Sequence, residues 1–193
     1  MAGYVTVYAE ATPNPESIKF VFNGEILPEG SSYDFKSPVE AENSPLAKDL
    51  FKFNFVKGVY ISQNFVTITK VDESMWAELI PILRAFLKEY ISGGNPVVLK
   101  EVLLNETDPD DINVNDSEPI RKIKEILAKS IKPVVEMDGG NIEFKSFDEG
   151  IVTVALKGSC SGCPSSTITL KAGIESLLKR MVPEVKEVVA EAL

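Results

Sequence analysis

Two hydrophobic periods alternate along this chain, one of two residues and one close to 3.6. Residues 4–11 and 17–22 alternate or run in β-branched and aromatic side chains, the repeat of strands laid on a core. Thr12-Pro13-Asn14-Pro15 separates them, and its two prolines mark a turn. An Asn23-Gly24 turn and a short strand at 32–35 follow. Ser44-Pro45 then opens a short helix, with a capping hydroxyl and proline at the first helical position. Residues 59–62 and 65–70 read as a hairpin around Gln63-Asn64. Asp72 is placed to cap a longer helix, whose Trp76, Leu79, Ile80, Leu83, Phe86, Leu87 and Tyr90 keep the helical period until Gly93-Gly94. Pro81 inside it lacks a backbone donor, which predicts a kink or a restart.

The pattern then breaks. Residues 101–117 are rich in Asn, Asp and Glu, a composition that repels itself into an extended, solvated tether. Ser117-Glu118-Pro119 opens a helix carrying Ile120, Ile123, Ile126, Leu127 and Ile131, expected to stop before Pro133. Asp138-Gly139-Gly140 is a tight turn into a strand at 141–147. Asp148-Glu149-Gly150 reverses the chain, and 151–157 alternates as the partner strand. Ile168, Leu170, Ile174, Leu177, Leu178 and Met181 give a helix over 167–180, and 185–190 a last strand at the sheet edge. The fold class is α+β: two small α+β domains, 1–100 and 118–193, joined by an acidic linker at 101–117. No internal repeat relates them.

Of the 193 residues, 44% are hydrophobic and 25% charged, as in ordinary globular proteins. No apolar run approaches the roughly 20 residues of a bilayer span, so no membrane role is expected. The first residues lack the basic start and apolar core of a secretory signal and the arginines of a transit peptide, which predicts a cytoplasmic protein. The net charge of −9 is concentrated in the linker: 1–100 carries nine Lys/Arg against twelve Asp/Glu, 101–118 none against seven, and 119–193 eleven against ten. Neither folded part has the basic stripe that phosphate backbones require, which excludes nucleic acid as a partner.

The chemistry is concentrated in Gly158-Ser159-Cys160-Ser161-Gly162-Cys163-Pro164-Ser165-Ser166-Thr167, which holds both cysteines of the chain. Cys160 and Cys163 can direct two thiolates at one soft metal centre, whereas zinc, [2Fe-2S] and [4Fe-4S] sites typically take four protein ligands. Imidazole is the usual supplement, and the chain has no histidine. The missing ligands must come from a second copy, another protein or a small thiol. The pair lies between a strand and a helix N-terminus, where unpaired N–H groups and the helix dipole favour anions such as a thiolate-bound cluster. Two rival readings stand beside an iron-sulfur centre: a thioredoxin-like dithiol oxidoreductase, and a zinc-bridged interaction module. The first lacks a tryptophan before its first cysteine and follows a hairpin in place of a parallel unit. A pair of cysteines buried for packing alone fits poorly with flanking serines and glycines.

Arg121, Ile131-Lys132-Pro133, Met137-Asp138-Gly139-Gly140-Asn141-Ile142-Glu143-Phe144, the cysteine segment and Val182-Pro183-Glu184-Val185 resemble the NifU C-terminal, or Nfu-type, domain. Thr12-Pro13-Asn14-Pro15, Lys19-Phe20, Ser44-Pro45-Leu46-Ala47 and Phe65-Val66-Thr67-Ile68-Thr69-Lys70 are similar to the domain often fused ahead of it in Nfu proteins. The resemblance covers nearly the whole chain. It implies a non-enzymatic iron-sulfur cluster scaffold or carrier, a homodimer with a [4Fe-4S] cluster held between subunits by Cys160 and Cys163. It implies apo iron-sulfur proteins as acceptors and iron-sulfur assembly proteins as partners. By thiol count alone [2Fe-2S] suits equally well. Residues 53–64 depart from the family by being less glycine-rich. Asp138 is read as part of a turn and not as a ligand, Thr12-Pro13-Asn14-Pro15 as either a partner-recognition loop or a rigid turn, and Trp76 as core.

Overall fold

The structure, a computed structural model, describes residues 4–71, 75–100, 111–161 and 164–192. The chain divides into two compact units, Met1–Glu106 and Thr107–Leu193, each with its own core.

In the first unit, strands β1 (Val7–Ala11), β2 (Ser17–Phe22), β3 (Tyr33–Phe35), β4 (Val56–Ile61) and β5 (Phe65–Lys70) form one antiparallel sheet in the order β1-β2-β5-β4-β3. The two-residue period sets the register. Ile18, Phe20 and Phe22 are buried on one face of β2, facing the helices α1 (Pro45–Leu50) and α2 (Trp76–Ser92) through Leu46, Leu50, Leu83 and Leu87. Phe20 is fully buried, so truncating it to alanine costs about 3–5 kcal/mol. α1 begins as its sequence indicates: the Ser44 hydroxyl accepts from Ala47 N at 3.1 Å and donates to the Val97 carbonyl at 2.7 Å.

The Thr12-Pro13-Asn14-Pro15 turn is built as a rigid support. Asn14 is buried, its Oδ1 accepts from Glu16 N, and the Trp76 indole donates to the Pro15 carbonyl at 2.9 Å. Trp76 itself is only partly buried against the core. α2 starts at Trp76 with Met75 at its cap and no capping side chain; Asp72, expected as the cap, lies outside the described residues. Pro81 does not restart α2, which runs through it on an exposed face. At residue six of the helix the carbonyl it leaves without a donor belongs to the first turn. Gly94, with φ +68, follows the helix end.

In the second unit, β6 (Gly140–Asp148), β7 (Ile151–Gly158) and β8 (Glu187–Ala192) form a sheet in that order, β6 and β7 antiparallel, β7 and β8 parallel. The hairpin turn has Glu149 at φ 49 and Gly150 at φ 91, the primed geometry that matches strand twist. A parallel pair needs a crossover, supplied by the long helix Pro164–Met181.

The first helical segment does not stop before Pro133. α3 (Glu118–Ile126) widens into a π turn at Leu127–Ile131 and resumes as α4 (Lys132–Met137). A proline deprives the carbonyl four residues back of its donor and crowds it; the wider turn relieves this and keeps Leu127, Ile131 and Val135 in the core. The Pro164–Met181 helix, α5, buries Ile174 and Leu178, while Ile168 and Met181 are exposed, contrary to the core stripe expected.

The tail of the acidic segment is not a solvated tether. The Lys124 side chain, only 4% exposed, pairs with Asp116 at 3.1 Å and donates to the Asp111 carbonyl at 2.8 Å. Asn113 N donates to Asp116 Oδ2 at 2.9 Å, closing a turn onto α3. Residues 101–110 lie outside the described residues.

Candidate functional site: the cysteine turn

β7 ends at Gly158, and the chain enters a short 3-10 turn at Ser159–Ser161 before α5. Gly158 takes φ +68, a left-handed conformation that glycine adopts without steric cost. It directs the turn back over the start of β6, where Gly140 is its cross-strand partner. The preceding turn contains Gly139 at φ +81, as the glycine doublet predicts.

These two turns are locked together. Ser159 N donates to the Gly139 carbonyl at 3.3 Å, and the Ser159 hydroxyl donates to the Asp138 carbonyl in a short contact. Ser159 is buried and its Oγ lies 3.8 Å from Cys160 Sγ. Asp138 therefore enters the site through its backbone, in keeping with its reading as a turn residue.

Cys160 is 5% exposed and belongs to the core of the second unit. A Cβ on Gly140 would lie 3.1 Å from its sulfur and 2.5 Å from the Lys157 carbonyl oxygen. Gly140 is not among the positive-φ glycines; the Lys157 carbonyl and the Cys160 side chain together occupy its side-chain space. Sequence reading missed this role, although the second glycine of a Gly-Gly turn entering a strand is a usable signal for close backbone approach. Cys163 and Gly162 lie outside the described residues.

On the hairpin that leads to the turn, one carboxylate holds two lysines. Glu143 on β6, nearly buried, accepts from Lys157 in a short contact and pairs with Lys145 at 3.4 Å. Lys157, three residues before Cys160, is thus drawn toward a carboxylate. Three large apolar side chains of this unit are exposed: Met137, just before Asp138, at 74%, Val134 one turn earlier, and Ile168 in α5 at 69%. Among the described residues no three of Cys, Asp and Glu gather as a metal site.

A small α+β unit whose hairpin delivers a cysteine turn to a helix N-terminus defines a NifU-like class of domain. The family models agree: "Scaffold protein Nfu/NifU N terminal" matches residues 7–94 and "NifU-like domain" matches 123–189. The chain belongs to the Nfu/NifU-like scaffold family.

The chain is 39% identical over 185 residues to "NFU1 iron-sulfur cluster scaffold homolog, mitochondrial" of Drosophila sechellia, covering 94% of this chain and 63% of the relative. To the protein of the same name in Drosophila willistoni it is 40% identical over 182 residues, covering 94% and 62%. The chain thus spans less than two thirds of their length. Among solved structures, the solution NMR structure of a NifU-like protein from Saccharomyces cerevisiae aligns with 50% of this chain and 87% of its own, at 25% identity and TM-score 0.46.

These relatives correct the cytoplasmic expectation, because they are named as mitochondrial. That expectation rested on the composition of the first residues. A cleaved leader is no part of a folded domain, so that composition does not report a compartment.

Proposed function

We propose that this chain is an iron-sulfur cluster carrier, in which Cys160 and Cys163 of two copies pool four thiolates around one [4Fe-4S] cluster that is later passed to apo iron-sulfur proteins. The observation that carries this is the Cys160 turn. It is built from Gly140, Gly158 and Ser159 at a strand–helix junction, in a chain with two cysteines and no histidine. The names of the relatives support the scaffold role.

The donor set suits iron-sulfur chemistry. Thiolate is the soft ligand such clusters require, and one chain supplies half of a four-thiolate shell. The glycines allow backbone N–H groups to approach cluster sulfurs, which tunes and holds them. Cys160 is buried in the second core, so cluster binding in this reading requires the turn to present its thiol. Val134, Met137 and Ile168, exposed in the same unit, provide apolar surface for the second copy to cover. Transfer follows from ligand exchange: an acceptor thiolate bonds to a cluster iron as a carrier thiolate departs. The cluster is cargo, and the chain acts as carrier and not as enzyme. The two units act as separate domains, the first docking acceptors or assembly partners while the covalent connection raises their local concentration.

Anaerobic reconstitution of the full chain with ferrous iron and sulfide tests this. The expected product is a brown dimer with about two irons and two sulfides per chain, lost in Cys160→Ala and in Cys163→Ala. A colourless dimer with stoichiometric zinc and no sulfide would overturn the cluster assignment, as would a monomer with a full iron complement and no added thiol.

A further inference from the structure

A second candidate site lies in the first unit, where α2 runs beside the edge strand β1. A groove of about 420 Å³ is lined by Thr6, just before the strand, by Val7 and Tyr8 of the strand, and by Pro81, Arg84, Ala85 and Lys88 from two turns of the helix. Its apolar walls are Val7, Pro81 and Ala85. Among the described residues, Arg84 and Lys88 are its only charged lining residues. Both are exposed, and among the described residues neither forms an ion pair; Lys88 is steadied over the Tyr4 ring at 5.0 Å.

Among the described residues, no strand pairs with the outer edge of the strand beside this groove. Phe22 N donates to the Asn64 carbonyl, on the β5 side of β2, and Asn23 N donates to the Thr6 carbonyl. By antiparallel alternation the backbone groups of Tyr8 and Glu10 face β2, and those of Val7 and Ala9 point outward. β1 ends the sheet. Glu10, the one acid of β1, lies near Lys19 at 3.9 Å, so the strand offers a ligand hydrogen bonds without an uncompensated negative charge.

We propose that this groove binds an extended acidic segment of a partner protein, which adds to β1 as a sixth strand and sets carboxylates against Arg84 and Lys88. Three features converge on that occupant. The outward N–H and C=O groups of Val7 and Ala9 are a template for strand addition. Four residues of helix advance about 6 Å, and two residues of strand about 6.7 Å. Acids two apart on a bound strand thus match the spacing of the two cations. The apolar walls receive the methylene stems of those acids, while the intervening side chains project from the opposite face of the added strand. This site lies within the unit that contains no cysteine, and its recognition does not depend on the cluster assignment.

The test uses the full chain without metal and fluorescent eight-residue peptides in which valine alternates with glutamate, lysine or serine. Fluorescence anisotropy should show saturable binding of the glutamate peptide, at least about tenfold stronger than the lysine peptide. N-methylation of alternate peptide bonds should weaken it similarly, and binding should slow amide exchange at Val7 and Ala9. Arg84→Glu with Lys88→Glu, both on the surface, should lose about tenfold in affinity with the urea midpoint unchanged. Absence of binding up to about 1 mM peptide, preference for lysine, or indifference to N-methylation would each overturn the proposal. So would tighter binding of a single-stranded oligonucleotide or phosphatidylserine vesicles that is abolished by the same double substitution.

Discussion

Gly140 and Cys160 occupy one another's space: a methyl group on the glycine would stand 3.1 Å from the cysteine sulfur. The tighter obstacle is the Lys157 carbonyl at 2.5 Å, a backbone atom of the paired strand that cannot yield as a flexible side chain would. Gly140→Ala must therefore part β6 from β7 at the cysteine turn. We expect a loss of roughly 1–3 kcal/mol in urea unfolding, with reduced iron content after reconstitution.

Gly173 is the matched contrast. It lies mid-helix in α5 and exposed, with nothing within 4 Å of an added Cβ. Gly173→Ala should raise stability by about 0.5–1 kcal/mol, since alanine loses less backbone entropy, and leave iron content unchanged. Urea midpoints of the two variants should move in opposite directions.

The buried Lys124 ammonium, which also lies 5.5 Å from the centre of the Phe144 ring, depends on Asp116 for its charge partner. The Asn113 N–H bonded to Asp116, aided by Lys124, holds the carboxyl below its ordinary range. A depressed folded value means the stabilisation is complete above the unfolded value, about 4, and disappears as pH falls through the folded one. Asp116→Ala should lower the thermal midpoint at pH 7 and flatten its fall in acid. Lys124→Met, which removes the charge and keeps the apolar stem, should be the milder change, and differential scanning calorimetry from pH 7 to about 3 distinguishes them.

Much of this architecture was legible because local and tertiary demands coincide. Ser44-Pro45 starts a helix wherever its apolar face lies, and Glu149-Gly150 reverses a hairpin by backbone conformation alone. What escaped depends on partners distant in sequence. Nothing local distinguishes Lys124 from a surface lysine; its burial is decided by Asp111 and Asp116 folding back from an acidic run. Ile168 fits the helical stripe, yet it is exposed while Ile174 and Leu178 further along α5 reach the core. Pro133 signals an end, but the core contacts of Ile131 and Val135 on either side favour a widened turn. At the site, the cysteine pair identified the chemistry, while the packing of Gly140 against Cys160 required knowing that β6 and β7 pair at Gly140 and Gly158.

Glu175 on α5 guards the outer strand of the second sheet. Its carboxylate accepts from Val188 N at 3.1 Å and from Lys179, and the Lys179 bond, followed by the Val188 N–H, lowers its pKa. Its contribution is likewise full above an unfolded value of about 4.3 and is lost as pH falls through the depressed folded value. Glu175→Ala removes the acceptor from an edge-strand amide. Hydrogen exchange at Val188 should accelerate about tenfold or more at neutral pH, with little change in the first unit.

Ser44 joins two elements through one oxygen. Its hydroxyl caps α1 at Ala47 N and donates to the Val97 carbonyl, and the side chain is fully buried. Ser44→Ala leaves an amide and a carbonyl without their partner inside the first core, so the expected loss is about 2 kcal/mol. Threonine keeps the hydroxyl but adds a methyl group to a closed site, and should recover only part of it. Equilibrium urea unfolding followed by Trp76 fluorescence reports this unit specifically, because Trp76 is the one tryptophan of the chain. An alanine variant as stable as the parent would mean that water replaces both bonds and that α1 is held by Leu46 and Leu50 alone.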